Sequence, residues 1–209
     1  MSLSSAFILA SGILPKTGDA YDVVLPTAAH ITHVAQLQAT VFQSLSPEEK
    51  SFLIERDEED FKQHFAQGHA VVAAVSKGQL IAQALVVMPA PGHKDCGITD
   101  MQLPAHAKHI AVLGGDIVHP DYRGNQLQST LTAARIAFAT AAGRRHAVAE
   151  VAVGNTHSLK NLMRHGLKIH SMGQDASDGT VLYNLHAPLR TSKQLQAQTL
   201  TAPRPAFAF

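Results

Sequence analysis

The stretch Val118-His119-Pro120-Asp121-Tyr122-Arg123-Gly124-Asn125 closes an apolar run and opens a helix. The run, His109 to Val118, reads as a β-strand. The helix carries Leu127, Leu131, Ala134 and Phe138 on one face and stops at Gly143. A further strand, His146 to Val153, leads to Asn155-Thr156-His157-Ser158-Leu159-Lys160-Asn161-Leu162-Met163-Arg164-His165-Gly166-Leu167. That segment reads as an Asn-capped helix ended by Gly166. A helix N-terminus offers backbone N–H groups without intrahelical partners and a partial positive charge. The turn from Arg123 to Ser129 is therefore a natural cradle for a phosphate or pyrophosphate, and Gly124 lets the backbone come close to it. A plain strand-to-helix turn that happens to contain glycine fits the same residues.

Working outward, residues 1–20 are rich in Ser, Gly and Ala and read as an N-terminal extension lying loosely on the surface. Tyr21 to Leu25 reads as the first strand. Ile31, Val34, Ala35, Gln38, Val41, Phe42 and Leu45 follow at helical spacing, with only Gln38 polar. Ser46-Pro47-Glu48-Glu49 is a helix start with a capping box, and Asp57 caps a short helix bearing Phe61 and Phe65. His69 to Val75 and Leu80 to Met88 are joined by Ser76-Lys77-Gly78-Gln79, a β-hairpin signature. Residues 89–108 form a long Pro-containing loop, of the kind that is often functional. Leu167 to Met172 and Thr180 to His186 read as the last strands, and 187–209 as a C-terminal tail. No repeat and no second domain is visible, so one mixed α/β domain over 21–186, built on a largely antiparallel central sheet flanked by helices, is expected.

Bulk properties narrow the function. The chain has 209 residues, 45% hydrophobic and 16% charged, with a net charge of +1, which suits a globular protein with a real core. So balanced a charge gives no reason to expect nucleic acid or a membrane surface as a partner. Cys96 is the single cysteine, so no internal disulfide is possible. Met1 to Leu14 lacks a basic n-region and a sustained apolar run, so neither a signal peptide nor a membrane span is read, and a cytoplasmic protein is expected.

The element order and the two motifs resemble the GNAT superfamily of N-acetyltransferases over about residues 21–186, most closely over 110–170. The resemblance implies acetyl-CoA as acyl donor and an amine as acceptor. That family's phosphate loop runs Arg/Gln-x-x-Gly-x-Gly/Ala. Aligned on Arg123 and Gly124, the later glycine positions fall on Gln126 and Gln128. Weaker binding, a changed loop path, or side-chain amides on the phosphates are all compatible with these departures. The implied cofactor-binding residues are Ile117 and Val118, whose strand backbone would bond pantetheine; the loop Arg123, Gly124, Asn125, Gln126, Leu127, Gln128 and Ser129; and Asn155 with Ser158 beside the pantetheine arm. Asn155 can serve as helix cap at the same time.

Two further points concern chemistry. Many relatives carry a Tyr seven residues after this Asn, which protonates the leaving thiolate; that position is Leu162. For the base that takes the amine proton, Glu150 is first choice. It matches a Glu that lies beside the amine in ribosomal-protein alanine N-acetyltransferases, although a solvent-facing strand Glu is the alternative. Asp116 is second and His119 third. His93, Cys96, His106 and His109 complete no recognised zinc spacing, so no metal is expected. Arg144 and Arg145 read as a helix C-terminal charge pair, and Lys160 and Arg164 as a solvated face. Pro203 to Phe209, with two Phe, offers packing for a second copy in a homodimer. A non-catalytic acyl-CoA-binding or interaction module, or a fold without a CoA site, remains the alternative to an enzyme.

Overall fold

The computed structural model describes residues 3, 6–90, 103, 107–175 and 178–189. The strands are β1 (Phe7–Ile13), β2 (Ala20–Leu25), β3 (Ala70–Ser76), β4 (Gln79–Val87), β5 (Ile110–Val118), β6 (His146–Ala152), β7 (Lys168–Gln174) and β8 (Val181–Pro188). The helices are α1 (Ile31–Gln43), α2 (Pro47–Lys50), α3 (Glu58–Ala66), α4 (Leu127–Ala141) and α5 (Thr156–Arg164). Local chemistry sets their starts. Ser46 Oγ accepts from the Glu49 N–H at 3.2 Å while the Glu49 carboxylate accepts from the Ser46 N–H at 2.9 Å, which closes the capping box of α2. Asp57 accepts from the N–H groups of Glu59 and Asp60 and starts α3. Lys77 and Gly78 both have positive φ, 49° and 78°, as a tight two-residue hairpin between β3 and β4 requires.

The strands form one sheet in the order β1-β2-β3-β4-β5-β6-β8-β7, antiparallel throughout except for the β5–β6 pair. Successive side chains feed opposite faces. Val23 and Val72 pack with Leu127, Leu131 and Leu162 on the α4–α5 face. Val24 and Val71 pack with Val34, Val41 and Phe61 on the α1–α3 face. Gln38, the polar member of the α1 stripe, is buried and its Nε2 donates to the Ile54 carbonyl at 3.0 Å, so the stripe keeps its function of covering the sheet.

The segment expected to lie loosely before Tyr21 instead supplies β1, paired antiparallel with β2 from Phe7↔Leu25 to Ile13↔Ala20. It escapes a pattern search because it is an edge strand: Phe7 and Ile13 are 69% and 60% exposed, so no apolar alternation marks a buried face. Cys96, His93, His106 and the tail Pro203 to Phe209 lie outside the described residues. Among the described residues no helix is long and apolar enough to cross a membrane.

The feature that positions the site is where β5 and β6 part. They are in register only at Ile110↔His146, Ala111↔Ala147 and Val112↔Val148. Beyond that, β5 follows β4 as far as Ala82↔Val118, and β6 follows β8 as far as Ala152↔Leu182. The sheet therefore opens a gap between Leu113–Val118 and Ala149–Ala152.

Candidate active site

One wall of the gap is bent. Gln83 is paired with Ile117 and Leu85 with Gly114, so β5 uses one residue more than β4 over the same span. The extra residue makes a β-bulge that drops out of the ladder and turns the backbone toward the gap. Gly115 sits there at φ 61°, and a Cβ on it would stand 2.8 Å from Leu85 Cγ. Only glycine meets both conditions.

Beneath the bulge, Arg135 of α4 is fully buried. Its Nη1 donates to the Gly114 carbonyl at 3.1 Å and its Nη2 to both Asp116 carboxylate oxygens at 2.7 and 2.8 Å. Burial pushes the Asp116 carboxyl up, while the Arg135 charge and hydrogen bond pull it down. A guanidinium keeps its proton in proteins, so the buried Arg135 needs a counter-ion and Asp116 supplies it. Thr132 Oγ1 accepts from Arg135 Nη2 at 3.1 Å and from Asn161 Nδ2 at 2.9 Å, which ties α4 to α5. Ser129 Oγ lies 2.8 Å from His165 Nε2. Burial, then the Arg135 charge, push the His165 ring below its ordinary range.

At the mouth of the gap stands the N-terminus of α4. Gln126 precedes it at φ 60°, ψ 15°, and no side chain caps the helix. A glutamine therefore holds the left-handed backbone that glycine adopts most readily. The N–H groups of the first turn and the absence of an acidic residue there leave a positive end. It faces a cavity of about 880 Å³ lined by Ile117, Val118, Arg123, Gly124, Gln126, Gln128, Ser129, Asn155 and Ser158, with Lys160 and Arg164 on the far wall. Three cationic side chains, Arg123, Lys160 and Arg164, meet one carboxylate, Glu49, in that lining. The two α5 cations are exposed, as a solvated face implies, and also border the cavity. Such a wall fits a polyphosphate ligand.

A smaller cavity of about 80 Å³ continues into the gap. Gly114, Gly115 and Asp116 line it from β5, Glu150 and Val151 from β6, Asn155, Ser158 and Leu162 from α5, and Phe52 with Leu53 form its roof. Asn155 also caps α5 as expected, accepting from the Ser158 N–H at 3.1 Å. Leu162 borders the cavity and carries no proton to give.

A family model described as the acetyltransferase (GNAT) family matches residues 34–167. The chain belongs to that family. Among solved structures, this acetyltransferase is similar to the GNAT domain of PAT from S. lividans, with a TM-score of 0.63 and 20% identity over 86% of this chain and 96% of that one. It is similar to yncA from Salmonella typhimurium, solved with its cofactor acetyl-CoA: TM-score 0.59, 14% identity, 89% and 99% covered. It is also similar to a ribosomal-protein-alanine N-acetyltransferase from Brucella melitensis, with a TM-score of 0.57 and 18% identity, covering 80% and 99%. No curated protein matches the sequence. Membership of the family makes the chain an N-acetyltransferase with acetyl-CoA as donor.

Within this GNAT enzyme most of the expected residues line one or both cavities, with Asn155 and Ser158 in both. Ile117, Val118, Arg123, Gly124, Gln126, Gln128, Ser129, Asn155 and Ser158 line the large cavity, and Glu150 with Asp116 the small one. Leu127 is buried in the core and brings only its backbone to the cradle. Asn125 is buried; its Oδ1 accepts from the Lys16 N–H at 2.9 Å and its Nδ2 donates to the Tyr122 carbonyl at 3.0 Å, so its side chain holds the loop from behind. His119 Nδ1 accepts from the Asp121 N–H at 3.3 Å, and His119 borders a separate cavity with His33 and Leu37. Arg144 donates to the Lys108 carbonyl at 2.6 Å and to the Pro89 carbonyl at 3.2 Å, so its charge fixes a loop rather than the end of α4. Lys16, Arg135, Phe52 and the Gly115 bulge were not singled out in the sequence. Paired Gly114-Gly115 inside a strand pattern is the signal that marks a bulge.

Proposed function

We propose that this enzyme transfers the acetyl group of acetyl-CoA directly to a primary amine, with Glu150 as the base that receives the amine proton. The observation that carries this is the meeting of Glu150 and the β5 bulge in one small cavity that joins the cationic large one. The cationic wall and the uncapped α4 N-terminus suit the diphosphate. The gap between β5 and β6 suits the pantetheine arm, and the backbone N–H groups of the β5 bulge suit a polarised thioester carbonyl. Glu150 is the exposed residue of β6, and in this reading the acceptor reaches it past Phe52 and Leu53. Asp116 is held by Arg135 and serves as counter-ion rather than base.

The departing thiolate finds no phenol at Leu162, so its proton comes from solvent in this reading. The test is calorimetric titration with acetyl-CoA, followed by an amine screen covering peptide N-termini, lysine side chains, polyamines and small metabolites. Micromolar binding with turnover of one amine class is the expected result. Binding without turnover of any amine supports the rival reading, favoured by Leu162, of an acyl-CoA-binding module. A cytoplasmic location and a homodimer through the tail remain part of the proposal.

A further inference from the structure

The turn between β1 and β2 is built onto the phosphate cradle. Leu14 is fully buried against the α4 face. The Leu14 N–H donates to the Asp19 carbonyl at 2.8 Å and the Gly18 N–H to the Leu14 carbonyl at 2.9 Å, so the tip is anchored at its base. From that tip the Lys16 backbone N–H donates to Asn125 Oδ1 at 2.9 Å and the Lys16 ammonium to the Arg123 carbonyl at 2.9 Å. Gly124 lies between these contacts, and a Cβ there would collide with the Lys16 ammonium. The glycine therefore admits a lysine as much as a phosphate. Among the described residues no carboxylate pairs with Lys16.

We infer that Lys16 is a positioning and charge residue of the acetyl-CoA phosphate site. The inference rests on the acetyl-CoA reading above. It adds a residue outside the family match, which begins at residue 34. The Arg123 carbonyl places partial negative charge in a loop that must receive an anion. Lys16 is not itself in the lining of the large cavity, so the ammonium offsets that charge from behind the loop, through its charge-assisted bond to the Arg123 carbonyl. The double grip also explains how Gln126 persists at φ 60°: the residues before it are pinned, so the left-handed backbone is over-determined by its surroundings.

The experiment is calorimetric titration with acetyl-CoA of wild type, Lys16→Met, Lys16→Gln and Lys16→Arg at low and moderate salt, with ligand-free melting curves. Loss of a charge-assisted contact predicts a Kd about tenfold weaker for both neutral variants. It also predicts a shallower salt dependence for them, near-wild-type melting, and an Arg variant close to wild type. Wild-type binding with neutral variants equally tight overturns this inference alone. Equal weakening of the Arg and neutral variants overturns it as well, since shape rather than charge then governs. A wild type that binds no acetyl-CoA overturns the proposed function together with it.

Discussion

Arg135 holds both carboxylate oxygens of Asp116, at 2.7 and 2.8 Å, and the same guanidinium reaches the carbonyl of Gly114 two residues earlier. The ion pair is thus the underside of the β5 bulge. Asp116→Asn leaves a buried guanidinium without its counter-ion and is expected to cost about 3 kcal/mol or more. Arg135→Met is expected to cost a similar amount. The double variant should lose less than the two single changes combined, because each removes the other's uncompensated charge. Equilibrium denaturation of the four proteins checks this, and strictly additive losses would contradict it.

Glu150→Gln keeps shape and removes the base. Turnover is expected to fall by about 10²–10⁴-fold, while the Kd for acetyl-CoA stays within twofold of wild type. The check is a kcat and KM determination with the amine found in the screen. Unchanged kcat would leave Glu150 as a surface residue of β6.

Gln126 occupies a backbone region that costs about 1–2 kcal/mol for a side-chain-bearing residue. Gln126→Gly is expected to raise stability slightly, since the gain is offset in part by unfolded-state entropy. Gln126→Val is expected to lower it by about 2 kcal/mol, because a β-branched side chain is least suited to positive φ. Denaturation midpoints distinguish the three.

Gln83 on β4 is fully buried, and neither its Nε2 nor its Oε1 has a hydrogen-bond partner among the described residues. A buried amide left unpaired costs about 1–3 kcal/mol. Gln83→Leu is expected to stabilise the fold by about 1 kcal/mol. A loss of stability on this change would show that the amide is hydrogen-bonded in the folded protein.

His146 Nδ1 lies 2.9 Å from His186 Nε2, and burial, first among the causes, pushes both rings below their ordinary range. Burial likewise lowers His64 and His165. These groups are neutral in the fold and take up protons more readily when unfolded. Stability is therefore complete above the unfolded histidine value of about 6.5 and falls as pH drops from there toward the lower folded values. Urea midpoints at pH 7.5 and 5.5 test the sign, and His146→Phe should lessen the difference.

Much of this architecture is legible in the chain. The capping box at Ser46, the Asp57 cap, the Lys77-Gly78 hairpin and the Asn155 cap are local chemistry, and each falls where its side chains dictate. The strand-to-helix turn from Arg123 to Ser129 and the strand carrying Glu150 are legible because their motifs are contiguous. What escaped depends on distant partners. β1 is an edge strand with little buried face, so its pattern is silent. Arg135 reads as a polar residue in an amphipathic helix until the bulge supplies its acceptors. Arg144 reads as a helix-end charge until the Lys108 and Pro89 carbonyls appear beside it.

The grip of the first hairpin on the cradle also has a kinetic side. Lys16 and Asn125 are separated by 109 residues, and the strands between them must be paired before the two can meet. Contacts of such long range form late, because the entropy of closing the chain precedes their reward. The loop is therefore complete only once the sheet from β1 to β5 has assembled. A partly folded chain carries the motif without its second support, so ligand binding would report on the state of the whole sheet as well as on the loop that touches it.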